Sequence, residues 1–300
     1  MFNDIINYFL APFQYSFFTN AFFASILVGM LCGTIGVYIV LRGMSYIGHG
    51  LSHAIFGGAA FAFVVFDQRP DSAGGTEDRT WSFYIAAGAW GFISAILISQ
   101  IVRRFRITAD AAIGIVTTAS FAVGVALLSA LKRFTRNLDA SLFGNMFGLN
   151  NKDFMLLIAV TIVVLFVVFF FYRQLLFSTF DEETARVYGV PTQIVETFFS
   201  LVLAGMILAA MNLMGVTLIA AAIVVPPVIA RLLTHQFHRM LLGSMLIGSM
   251  TAAFGVFISM KGDIPPSAGT VLLQTAIFIA VLVYTSVVHR REMFLNAHIA

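Results

Sequence analysis

Cysteine occurs once in this chain, at Cys32, which excludes an intramolecular disulfide and any cysteine-built metal cluster within one copy. Charge is nearly as scarce. Only 10% of the 300 residues are Asp, Glu, Lys or Arg, where soluble domains carry about 25%. The phosphate-cradling pattern G-x-x-x-x-G-K-[ST] is missing, so the chain does not hydrolyse ATP on its own. H-E-x-x-H is missing too: His53 is followed by Ala54, Ile55, Phe56 and Gly57. The opening residues, MFNDIINYFLAPF, carry neither the basic n-region of a signal peptide nor a lipidation box. The first apolar span is therefore expected to act as its own insertion signal.

What fills the chain instead is apolar: 60% of residues are hydrophobic, and the mean hydropathy is +0.94. Several runs reach the ~20 residues that carry a helix across a bilayer. The composition predicts an all-α polytopic membrane protein with eight to nine transmembrane helices in one domain over 1–300. The net charge of +3 is small, and no nucleic-acid partner is expected. Candidate spans run over 18–41, 46–66, 81–102, 112–131, 154–172, 193–211, 216–230, 240–260 and 270–288. Residues 1–16 read as an aromatic-rich interfacial lead segment ended near Pro12. Residues 140–150 are too short and glycine-rich to cross, and fit a turn or a re-entrant piece shielded by protein.

Basic clusters set the sidedness. The positive-inside rule puts 103–106, 173–191, 231–239 and 289–291 in the cytoplasm, and 67–80 and 261–269 outside. Alternation then places the C-terminus inside and Met1 outside, and leaves the basic 132–136 cluster outside, against the rule. Another crossing, or one fewer, near 1–16 or 140–150 would change that count.

The stretch around which the chain is organised is LRGMSYIGHGLSHAIFGG, 41–58. His49 and His53 stand four residues apart, so on a helix they share one face. Imidazole can be neutral at pH 7 and binds divalent transition metals. Ionisable groups inside a span mark function by default, and metal contact is weighed here against structural polar packing. Small residues surround the pair (Gly48, Gly50, Ser52, Ala54, Gly57, Gly58), either for close helix contact or to leave a path. For Gly29, Gly33 and Gly36 in the first span, helix–helix contact is the reading.

A second informative stretch is the hydrophilic break at 172–191. Asp181, Ala185 and Gly189 recur every four residues, on one face of a short surface helix. Asp181, Glu182 and Glu183 fall in its first turn, where the dipole favours negative charge, and Gly189 followed by Pro191 is a stop signal. The element is either a solvated connector or a docking element whose small Ala185 and Gly189 leave a face for a cytoplasmic partner.

These stretches occur in a telling order. GMSYIGHGLSHAIFGGAAFAF (43–63), ADAAIGIVTTASFAVGVALLS (109–129) and LDASLFGNMFGLN (138–150) come first. LLFSTFDEETARVYGVP (175–191), GVTLIAAAIVVPPVIARLLT (215–234) and GDIPPSAGTVL (262–272) follow. Together they closely resemble the permease subunits of bacterial ABC importers for zinc, manganese and iron. The resemblance implies a fold related to the vitamin B12 importer permeases, in the bacterial plasma membrane. It implies a second permease copy (identical or a close paralogue), two cytoplasmic ABC ATPase subunits and an extracytoplasmic metal-binding protein. No permanently bound cofactor is implied; the metal is cargo. In that family an Asp-x-x-x-His pair early in the second segment lines the path. His53 matches its histidine, and His49 stands where the family usually has Asp. Two nitrogens lean toward Zn²⁺ or Fe²⁺ over Mn²⁺. The 175–191 loop resembles the family's coupling helix, a role carried onto Asp181, Ala185, Arg186, Tyr188 and Gly189.

Other polar residues invite plainer readings. Asp263 matches an acid the family often carries before its proline turn, a candidate external gate or delivery-protein contact set against a solvated turn acid. His235 and His238 read as solvated loop residues, as do His289 and His298. Met206, Met211 and Met214 read as gap-filling core residues. Pro226 and Pro227 should bend their span, and Asp110 reads as a helix N-terminal acid. A secondary metal transporter or an intramembrane metalloenzyme would need acids inside the spans, and these hold almost none.

Overall fold

The computed structural model describes residues 11–67, 76–105, 107–130 and 144–297. Residues 1–10, most of the 67–79 loop, the basic 132–139 segment and His298 lie outside the described residues. Among the described residues there is no β-strand. A 3-10 turn at Ala11–Gln14 precedes α1 (Ser16–Leu41), α2 (Ile47–Asp67), α3 (Thr76–Phe105), α4 (Ala109–Ala130) and α5 (Asn151–Phe170). Then come the short α6 (Tyr172–Phe180) and α7 (Glu182–Val187). The remainder is α8 (Thr192–Met214), α9 (Ile219–Leu233), α10 (Phe237–Gly262) and α11 (Pro266–Ala297).

Each span expected from the sequence contains one helix. Among the described residues, seven helices are long and apolar enough to cross a bilayer. Helix α2, with 21 residues, is about 31 Å long. Helix α9 is the short one, 15 residues with Pro226 and Pro227 inside it.

Helix α1 is the hub. Every residue from Leu31 to Val40 is buried, as expected of a helix that is apolar all round. Its glycines let other backbones touch it. A β-carbon on Gly33 would stand 2.7 Å from the carbonyl carbon of Ser244, and one on Gly29 would strike the backbone of Gly248. Ser244 seals this seam by donating to the Gly33 carbonyl across 2.8 Å. A β-carbon on Gly36 would lie 2.7 Å from Pro227 Cγ and collide with the Ile223 carbonyl. Pro227 has no N–H to offer that carbonyl, so the bare α1 backbone lies against it. The expected packing role of these glycines is what the structure shows.

Partner numbers give direction. Gly29 meets Gly248 and Gly33 meets Ser244, so α1 and α10 run antiparallel. Gly50 meets Ile113 and Thr117, and Gly57 meets Ser120, so α2 and α4 run parallel. A chain crossing once in each of α1–α5 and α8–α11 gives both directions. The 144–150 stretch makes a turn: Gly144, at φ +79°, lies against the backbone of Leu213 and Gly215, and Met146 is buried.

Helix α1 ends in a Schellman motif. Gly43 takes φ +68°, its N–H bonds the Val40 carbonyl, and the N–H of Met44 reaches back to Ile39. Three residues later α2 begins, so the histidine helix hangs from a sharp corner at the end of the hub.

Candidate metal path and coupling surface

His49 and His53 project side by side from the first two turns of α2. Their ring centroids are 4.4 Å apart, with the planes at 77°. Tyr46 flanks His49 at 5.3 Å, and Phe121 of α4 meets His53 edge-on at 4.8 Å. Both imidazoles are half-buried. The buried Nδ1 of His53 has no hydrogen-bond partner among the described residues. The described residues also hold no group of three or more His, Cys, Asp or Glu side chains able to enclose a metal ion. The pair brings two imidazoles together without the further ligands of a closed metal site among the described residues.

The small residues around the pair serve contact. A β-carbon on Gly57 would strike the backbone of Ser120, one on Gly58 the Trp90 side chain, and one on Gly50 the Ile113 side chain. Ser52, between the two histidines, donates to the Val216 carbonyl across 2.9 Å.

The second region departs from the expectation in detail. Helix α7 has six residues, and Asp181 is its N-cap rather than part of its first turn; Glu182 and Glu183 occupy that turn. The Asp181 carboxylate accepts from the Thr184 N–H at 2.9 Å and from the Thr184 hydroxyl. These bonds, the hydroxyl's first, hold its pKa below the ordinary range. Gly189 lies past the helix at φ +82°, and its N–H bonds Arg186 while Val190 bonds Ala185, a second Schellman stop. The expected common face of Asp181, Ala185 and Gly189 is therefore not formed, because only Ala185 has helical geometry. Ala185 is buried in this chain's own fold, so it offers no face to a partner. Phe180, Val187 (86% exposed) and Tyr188 (77% exposed) face outward beside the exposed charges of Asp181, Glu182, Glu183 and Arg186. Arg186 pairs with Glu182 at 2.8 Å.

Arg42, the residue after the 18–41 span, binds this region. Its Nε donates to Thr179 Oγ1 and its Nη2 to Ser178 Oγ, both at 3.1 Å. Its guanidinium lies 4.5 Å over the Phe199 ring. Glu196 and Glu182 act electrostatically on its charge. No local spacing predicts this cluster.

The remaining candidates are simpler. Asp263 is exposed and ends α10 in the left-handed region at φ 53°. His235 and His238 are exposed, Met206, Met211 and Met214 are buried in the core, and Asp110 sits in the first turn of α4.

The model of the ABC 3 transport family matches residues 14–285. The chain belongs to that family. It is 32% identical over 265 residues to the manganese transport system membrane protein MntC of Halalkalibacterium halodurans, covering 88% of this chain and 86% of that protein. Over 272 residues it is 30% identical to the chelated iron transport system membrane protein YfeC of Yersinia pestis, covering 90% and 87%. Among solved structures it resembles PsaBC from Streptococcus pneumoniae in complex with Fab, with a TM-score of 0.79 and 28% identity, over 92% of this chain and 95% of that one. An inward-facing putative metal-chelate type ABC transporter shares the fold, with a TM-score of 0.60 at 14% identity over 87% of this chain and 85% of that one. Like its ABC 3 relatives, the chain is a multi-pass membrane protein.

Proposed function

We propose that this chain, as one permease domain, is the membrane-spanning subunit of an ATP-driven importer for a divalent transition metal ion: manganese, iron or zinc. Manganese and iron are the metals in the names of its relatives. The observation that carries the reading is the pair His49 and His53, with centroids 4.4 Å apart and the buried His53 Nδ1 lacking a partner among the described residues. A path site must release its cargo, so two nitrogens suit it better than a closed tetrahedral set. A second permease copy would bring a matching pair to the other side of the path.

Hydrolysis belongs to partners in this reading. Two cytoplasmic ATPase subunits dock at 172–191, and an extracytoplasmic binding protein delivers the metal, with Asp263 at the outer mouth. Closure of the ATPases on ATP moves α7, and the permease pair alternates between outward-open and inward-open forms.

Reconstitution in vesicles tests this. Uptake of Mn²⁺, Fe²⁺ or Zn²⁺ should require the ATPase and ATP. The double variant His49→Ala, His53→Ala should lose at least ~90% of uptake while still binding the ATPase, the loss of both ligands exceeding the 10-fold cost of a single supporting contact. Uptake driven by an ion gradient without ATP would favour a secondary transporter instead. Normal uptake by the double variant would remove the histidines from the path.

A further inference from the structure

Arg42 belongs by its backbone to the corner between α1 and the histidine helix, and by its side chain to the elements that flank α7. We propose that Arg42 is a positioning residue that locks the coupling element to the start of the histidine helix, so that displacement of α7 reaches His49 and His53. The inference rests on the import reading above and deepens it.

The geometry is that of a clamp. Ser178 and Thr179 lie in the last turn of α6, three and two residues before Asp181. Their hydroxyls donate to the Leu175 carbonyl at 3.2 and 2.6 Å, which turns their lone pairs toward the guanidinium. Arg42 supplies two donors in a fixed fork, a geometry a lysine cannot copy. Its flat face is held by Phe199 of α8, with Glu196 of α8 and Glu182 of α7 acting on its charge. Beside the clamp is a pocket of about 250 Å³ lined by Arg42, Ser178, Thr179, Glu182, Thr192 and Glu196. On the far side, Gly43 and Met44 close the Schellman motif of α1, and the Met44 carbonyl accepts from the Ile47 N–H that opens α2 at 2.9 Å. His49 follows two residues on.

The test uses the complete complex of permease, ATPase and delivery protein in vesicles, with metal uptake and ATP hydrolysis measured separately. Arg42→Gln should cut uptake roughly tenfold, in line with loss of hydrogen bonds to a charged group, while the ATPase stays bound and hydrolysis continues. More ATP is then spent per metal ion. Arg42→Lys should recover part of the uptake. Ser178→Ala with Thr179→Val, which leaves Arg42 in place, should raise the same ratio, and decides the matter if Arg42→Gln does not fold. Uptake and hydrolysis falling in step, or uptake unchanged in both variants, would overturn the clamp. Failure of the unaltered complex to import metal on ATP would overturn the import reading itself.

Discussion

Ser52 shares its hydroxyl proton between the Val216 carbonyl at 2.9 Å and the His49 carbonyl of its own helix at 2.8 Å, fastening the histidine helix to the connector between α8 and α9. Ser52 and Val216 are buried, and Gly215, at φ +79°, is what turns the chain so that the Val216 carbonyl faces α2. Ser52→Ala leaves the acceptor without that donor, at a cost of about 1–3 kcal/mol. Thermal unfolding in detergent should show a lowered midpoint. An unchanged midpoint would mean that the bond contributes nothing to stability.

The α1–α10 seam gives the sharpest steric prediction. Gly33→Ala sets a β-carbon against the Ser244 backbone, and backbone cannot swing aside as a side-chain tip can. The helices must part, costing roughly 1–3 kcal/mol. Gly205→Ala in α8 is the control, because its β-carbon would meet nothing within 4 Å. It should stabilise by about 0.5–1 kcal/mol through reduced backbone freedom in the unfolded chain. Equal stability of the two variants would refute the seam.

The helices were legible because membrane spans announce themselves through long apolar runs, and the stop at Gly189 was legible because left-handed backbone favours glycine. The face uniting Asp181, Ala185 and Gly189 was misread for a related reason. Four-residue spacing means a common face only while the helix lasts, and α7 stops at Val187. Arg42 was invisible as a clamp because its hydroxyl partners lie 136 and 137 residues away in sequence. The glycines around His49 were ambiguous in sequence, since close contact and an open path ask for the same small residues; Gly50, Gly57 and Gly58 are occupied by contact.

His49 offers a test of metal preference. The two rings present nitrogen donors only, and His49→Asp replaces one with a harder carboxylate oxygen. Ligand preference then shifts toward Mn²⁺ relative to Zn²⁺. Competition uptake with both metals should show the Mn²⁺:Zn²⁺ ratio rising several-fold, a change of about 1 kcal/mol in relative binding being worth roughly fivefold. No change in the ratio would show that the pair does not discriminate.

The cap on α7 has a defined acid limit. Hydrogen bonds from Thr184 lower the Asp181 pKa, so the carboxylate form favours the folded cap. That contribution is fully present above the ordinary Asp value of about 3.9 and is lost as pH falls through the lowered native value. Hydrogen exchange at the Thr184 amide, corrected for its intrinsic pH dependence, should keep its protection from pH 8 to about 5. Asp181→Ala should reduce protection roughly fivefold at neutral pH. Protection lost near pH 6 would contradict the capped geometry.

Val187 and Tyr188 are 86% and 77% exposed, the last residue and the C-cap of a helix whose one buried residue is Ala185. Phe177 lies 5.9 Å from the Tyr188 ring, so the tyrosine is braced on one side and open on the other. An aromatic residue in that state at a helix end is the kind of anchor that dominates protein interfaces. Val187→Asp and Tyr188→Ala remove apolar surface that the fold itself does not use, and stability should change by no more than about 0.5 kcal/mol. If the ATPase docks here, each variant should weaken its association by roughly tenfold or more, read by co-purification and titration of the detergent-solubilised complex. Arg186→Ala should matter less, because its guanidinium is already engaged by Glu182 at 2.8 Å and an exposed pair of this kind contributes little. Undiminished ATPase binding by both apolar variants would place the docking surface elsewhere and leave α7 a connector.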